Sequence, residues 1–198
     1  MNKGRLEAFS DGVIAIIITV MVLELNVPLG ESFRALTAVV PVFLCYVLSF
    51  VYLGVYWNNH HHMLHAVDHV TGSILWANLH LLFWLSLIPF TTAWMGENHF
   101  AAAPAQLYGA VLFMSGIAYW LLQQRIIASQ GAHSLLRQAI GGDWKGRLSP
   151  VLYLAGIAAA SWSRWLAQGL YVLVALLWLI PDRRIERVLV ARRPAGGG

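Results

Sequence analysis

The chain has 198 residues, of which 59% are hydrophobic and only 11% charged, and its mean hydropathy is +0.63. Those values exclude an ordinary soluble domain and make lipid the natural solvent of the fold. The net charge of +4 follows from 13 Lys and Arg against nine Asp and Glu, and the positions of the basic residues assign it to membrane anchoring, with no nucleic-acid partner.

Lys3 and Arg5 place positive charge ahead of an apolar run with no small-residue cleavage site after it, so the first segment reads as a retained span over about 8–27. Pro28 and Gly30 close it. A second span covers about 35–57 without a formal charge and contains Cys45, the single cysteine, which excludes an intramolecular disulfide. A histidine-rich polar connection, Asn58 to His69, leads to a third span over about 70–95, whose last turns Pro89 is expected to kink. The fourth covers about 101–124, and the polar stretch from Arg125 to Arg147, with a turn at Gly141-Gly142-Asp143, is expected as a surface segment. Beyond it the run to Ile180 is too long for one span and is broken by Ser161-Trp162-Ser163-Arg164, so it divides into spans at about 149–163 and 165–181. The expectation is an all-α integral membrane protein with six transmembrane helices in a single domain, 1–193, followed by a flexible tail, 194–198. The nine Trp and seven Tyr suit the headgroup level of a bilayer.

Six spans put eleven of the 13 Lys and Arg on one side and leave Arg34 and Arg164 on the other. The positive-inside rule then places both termini in the cytoplasm of a multi-pass protein, and an even number of spans is required to keep the two basic ends together.

The first span carries the most information. From Ile16, helical spacing gathers Ile16, Val20 and Leu23 on one stripe with Thr19 beside it, and Phe9 and Gly12 toward the cytoplasmic end. On periodicity alone this is first of all an ordinary apolar face packed against neighbouring helices. Around an axis of several subunits it becomes a stack of apolar rings that gates by excluding water, with threonine hydroxyls facing a partly dehydrated cation. Five residues, about 500° of helix turn, separate Asp11 from Ile16, so Asp11 faces a neighbouring helix. A carboxylate at that depth needs partners, and Arg5, Ser10, His61 and Asn78 are the candidates near the same end. Glu24 sits at the extracellular mouth, either concentrating cations or simply solvated.

His61, His65 and His69 recur at i, i+4 and i+8 on one helix face, a spacing at which imidazoles share a metal ion. No third ligand from a separate segment is identifiable in the sequence, so an interfacial polar turn with His60 or His61 bonded to the first helix is the preferred reading and no metal is assigned. His80 is expected to bond to a neighbouring helix. Gly4, Gly12 and Gly109 form no phosphate-binding loop, no nucleophile pairs with a base, and an enzyme is not expected.

Arg5-Leu6-Glu7-Ala8-Phe9-Ser10-Asp11 matches an R-x-x-x-F-S-D pattern, and with Trp57, His60, His61, Trp76-Ala77-Asn78-Leu79 and Pro89-Phe90-Thr91-Thr92 the chain resembles the lysosomal transmembrane potassium-channel family over about residues 5–95. The resemblance implies a homotetramer of six-helix subunits in the plasma membrane of a bacterium, with the pore lined by the first helix and without a T-V-G-Y-G filter. It implies a constriction at Ile16, a pore threonine at Thr19, further apolar layers at Val20 and Leu23, and a signature network of Arg5, Phe9, Ser10, Asp11, His61 and Asn78. The implied function is passive, modestly selective potassium conduction with no cofactor beyond the permeant ion. A proton- or cation-coupled transporter and a histidine-cluster metal-binding scaffold are the alternatives; the transporter sits poorly with a first helix that has no Gly or Pro break at its midpoint.

Overall fold

A computed structural model describes residues 2–67, 69–131, 136 and 144–179. The turn expected at Gly141 to Asp143, the basic residues from Arg183 onward and the 194–198 tail lie outside the described residues.

The described residues are helical throughout their regular structure. Helix α1 spans Lys3–Leu23, and the side chain of Asn2 caps it by accepting a hydrogen bond from the Gly4 amide at 3.1 Å. Its start at Lys3 brings the charged residues Lys3, Arg5, Glu7 and Asp11 into the helix itself. A short 3-10 turn, Phe33–Ala38, leads to α2, Val40–His65, with Pro41 in its first turn where the missing amide costs nothing. Helix α2 runs eight residues past the apolar stretch that ends at Trp57, so the expected polar connection from Asn58 is mostly helix.

Thr71 caps α3, Gly72–Ser86, and α4 follows as Ile88–Glu97. The break between them falls at Leu87, two residues before Pro89, because a proline inside a continuous helix would cost a ladder bond and clash with the preceding turn. Thr91 and Thr92, both buried, return their hydroxyls to the carbonyls of Leu87 and Ile88. Helix α5, Ala102–Gln130, has 29 residues and a length of about 43 Å, more than the hydrocarbon thickness of a bilayer. Helices α6, Trp144–Ala159, and α7, Arg164–Leu179, are 16 residues each and flank the Ser161 to Ser163 turn. Among the described residues, four segments are long and apolar enough to cross a membrane: α1, α2, α3 with α4 taken together, and α5.

Helix α5 is the central post, packing on α3, α4, α6 and α7, while α1 lies to one side against α2, α3 and α4. Two glycines set the closest approach in the core. A Cβ at Gly109 would fall 2.1 Å from the Tyr171 hydroxyl and one at Gly156 would fall 2.5 Å from its ring, so both positions must lack a side chain for Tyr171 to enter. Tyr171 then donates to the Ala105 carbonyl at 3.0 Å and accepts at its own carbonyl from Tyr52 at 2.5 Å. Ser49 binds Thr92 at 2.7 Å and Tyr108 at 3.0 Å, which satisfies three buried hydroxyls between α2, α4 and α5.

The two faces of the first helix

Helix α1 separates its side chains by period. Leu6, Ser10, Ile14, Ile17 and Met21 repeat every three or four residues and are buried against α2, α3 and α4. The opposite side carries Arg5, Phe9, Gly12, Ile16, Thr19, Val20 and Leu23, all exposed in the isolated subunit. Ile16 is 62% exposed and Leu23 79%, so a continuous apolar strip has no partner among the described residues. The Thr19 hydroxyl donates to the Ile16 carbonyl at 2.9 Å. With its proton spent on the helix, the oxygen keeps its lone pairs for an acceptor role on the outward side. Glu24 is the exposed C-terminal cap.

Behind this strip lies a buried polar relay. Ser10 donates to the Leu6 carbonyl at 2.9 Å and accepts from the Asn78 amide nitrogen at 2.9 Å, and the Asn78 carbonyl oxygen meets His60 Nε2 at 2.7 Å. Since the amide oxygen only accepts, Nε2 carries the proton. The arrangement joins α1, α3 and α2 through three residues that are each at most 1% exposed. The His60 Nδ1 atom, equally buried, has no hydrogen-bond partner among the described residues.

Beside the relay runs a ladder between α1 and α2. Trp57 Nε1 donates to Asp11 at 3.0 Å, His61 Nδ1 stands 3.0 Å from Glu7 Oε1, and the Lys3 amine donates to the His65 carbonyl at 2.7 Å. Lys3, Glu7 and Asp11 recur every fourth residue on one helix, Trp57, His61 and His65 every fourth on the other, and antiparallel packing pairs them in reverse order.

The expected network is therefore divided in two and partly reassigned. Ser10 and Asn78 are bonded directly, and the histidine that extends the relay from Asn78 is His60, while His61 belongs to the ladder. Asp11 is held by Trp57, and none of the four partners expected for it reaches it. Phe9 is on the outward strip, 52% exposed, and takes no part in a polar network because its ring offers no donor or acceptor. Arg5 is exposed, with no ion pair at its guanidinium among the described residues. His69 is exposed and is not part of the close group, which is Glu7, His61 and His65, so the potential donor from a separate segment that the sequence did not reveal is Glu7 of α1. His80 accepts from Trp84 of its own helix at 3.0 Å, a partner one turn away at i+4, where the sequence leads one to expect a neighbouring helix. Glu7 is the member of this arrangement that sequence reasoning does not single out, and of the two histidines it leaves open, His60 joins the relay through Asn78 while His61 pairs with Glu7. The four-residue rhythm shared by the two helices is the signal that could have found Glu7; for His60 the sequence offers its place beside His61 without deciding between the two.

A cavity of about 420 Å³ between α2, α5, α6 and α7, bordered by Tyr56, Tyr119, Arg147 and Trp178, includes no α1 residue and is separate from both faces.

Residues 5–89, which include every member of the relay and of the ladder except Lys3, match the model of the endosomal/lysosomal potassium channel TMEM175. A potassium channel of Chryseobacterium sp. (strain P1-3) is 56% identical over 189 residues, covering 96% of this chain and 98% of that protein. The chain belongs to the TMEM175 family. Another family relative, a potassium channel of Streptomyces collinus, is 33% identical over 161 residues, covering 71% of this chain and 78% of that protein. The crystal structure of a lysosomal potassium-selective channel TMEM175 homolog from Chamaesiphon minutus superposes with a TM-score of 0.75 at 29% identity, covering 91% of this chain and 97% of that one. The likeness to a TMEM175 structure thus extends well beyond the 5–89 match to most of the helices described above.

Proposed function

We propose that this protein is a potassium-permeable channel in which four copies surround an axis with the outward face of α1. The observation that carries the proposal is the unpartnered strip of Phe9, Ile16, Val20 and Leu23 with the Thr19 hydroxyl set into it. Lipid would accept the aliphatic side chains of that strip, but it offers nothing to a hydroxyl whose lone pairs face outward. In the assembly, Ile16 forms the constriction, Val20 and Leu23 add apolar layers, and Glu24 stands at the mouth. Narrow apolar rings hold back water until the helices part, and a ring of Thr19 oxygens replaces a fraction of the hydration shell of the ion. Replacing only a fraction gives modest preference for potassium over sodium, since tiers of carbonyls are absent. Conduction is passive and needs no cofactor, and the proposal assigns no catalytic role.

The relay and the ladder hold the rotation of α1, so that Ile16 and Thr19 stay on the axis. Six spans, with α6 and α7 completing the four longer segments, would keep both termini on the cytoplasmic side of the plasma membrane, a topology that the distribution of Lys and Arg supports. An unbroken α1 from Lys3 to Leu23 favours this reading over a carrier, whose binding site is typically built where a helix unwinds.

Potassium flux from liposomes containing the purified chain, with sodium exchanged for potassium in parallel, tests the proposal. Fast flux that prefers potassium is expected. Slow flux that saturates with ion concentration would instead support the transporter, and no flux from folded, incorporated protein would remove both.

A further inference from the structure

We propose that Glu7, His61 and His65 form a binding site for a divalent transition metal of the zinc class, bridging the beginning of α1 to the end of α2. Imidazole and carboxylate ligands suit zinc and its neighbours, and the site draws two ligands at i and i+4 from one helix and the third from another. Distances to zinc of about 2.0 to 2.2 Å at tetrahedral angles put neighbouring ligand atoms roughly 3.3 Å apart. In the structure Glu7 Oε1 lies 3.0 Å from His61 Nδ1 and 3.5 Å from His65 Nε2, and all three atoms fall within 4.8 Å of one another. The two imidazole rings are 4.4 Å apart at their centroids, so a small rotation of either closes the third edge.

Access and coordination number also fit. The side chains are 20% exposed at Glu7, 40% at His61 and 49% at His65, which leaves an entry path and a fourth position for water. Two nearby groups modulate the site: the Lys3 ammonium, bound to the His65 carbonyl at 2.7 Å, opposes a cation, and His62 packs edge-on against His61 at 5.7 Å. One carboxylate and two neutral imidazoles leave a net positive charge on a bound divalent ion, so Lys3 limits affinity.

The site itself stands apart from the channel reading, but its consequence rests on it. A metal held here clamps the proposed pore-lining helix to α2, and α1 then moves less readily about the axis.

The test is a zinc titration of tag-free, full-length protein in detergent, followed by heat release, with Glu7→Gln, His61→Gln, His65→Gln and His69→Gln in parallel. One zinc ion per chain is expected, with affinity weakened about tenfold or more in the first three variants and unchanged in the last. Equal binding by wild type and His65→Gln, or an equal loss in His69→Gln, would overturn the site, and so would absence of binding. Cobalt provides a check that needs no variant: intense visible bands of low-coordinate cobalt are expected, and the weak spectrum of an octahedral ion would count against it. In liposomes zinc is expected to slow potassium flux through wild type and not through the His61→Gln/His65→Gln double variant. Zinc binding with unaltered flux would remove the clamp and keep the site, whereas wild type without any flux would remove the channel reading and leave the titration standing.

Discussion

The two faces of α1 differ in how far their side chains are satisfied within the subunit. The inward face closes every account within the subunit: Ser10 is hydrogen-bonded twice, Asp11 has Trp57, Glu7 has two imidazoles, and Ile14, Ile17 and Met21 are at most 5% exposed. The outward face is left open, with Ile16, Val20, Leu23 and the acceptor side of Thr19 without a partner among the described residues. A helix so divided has its packing set by one face and leaves the other free for the proposed pore-lining role. Mutations should separate accordingly, with inward changes read in stability and outward changes read in flux.

The largest effect is expected at Asn78. Asn78→Leu removes the node of the relay, leaving the buried His60 Nε2 without its acceptor and Ser10 with only its bond to Leu6, a loss of about 2 kcal/mol seen as a lower melting temperature and a smaller yield of assembled protein. An unchanged melting temperature would show that the relay does not set the fold. Next comes Ile16→Asn, which wets the constriction; potassium flux should rise several-fold or lose discrimination against sodium, at unchanged melting temperature. Smaller is Thr19→Val, which keeps the shape and removes the oxygen. It should lower the potassium-to-sodium permeability ratio measured from reversal potentials, and a conserved ratio would strip Thr19 of its part in selectivity. Smallest is Trp57→Phe, which takes one hydrogen bond from Asp11 and should cost about 0.6 kcal/mol, with flux little altered. A large effect of Trp57→Phe on flux would blur the division between the faces.

Much of this division is legible in the amino-acid sequence. The 3.6-residue period of α1 places Ile16, Thr19, Val20 and Leu23 on one side and Asp11 on another, because period is a property of a single helix. Hydropathy likewise locates the four long segments. What the sequence does not show is which side chains meet across helices. His60, His61 and His62 point in directions about 100° apart, and only the rotation of α2 against α1 and α3 decides that His60 turns inward to Asn78 while His61 turns to Glu7. The length of α2 escapes for a related reason. Hydropathy ends at Trp57, yet the polar residues after it remain helical because α1 supplies a carboxylate and an ammonium at matching four-residue intervals. Phe9 enters the expected network only by its place in a motif, although an aromatic ring on the outward strip has no polar partner to seek.

The most direct test of the central claim asks whether water or lipid meets the outward face of α1. Leu23→Cys, made with the buried Cys45 replaced by Ala, places one thiol near the proposed mouth, and a charged, membrane-impermeant thiol reagent is applied during potassium flux from liposomes. If α1 lines a pore, the reagent reacts and flux falls. A thiol that reacts only with a membrane-soluble reagent, while flux continues unaltered, would place the strip against lipid and contradict the account.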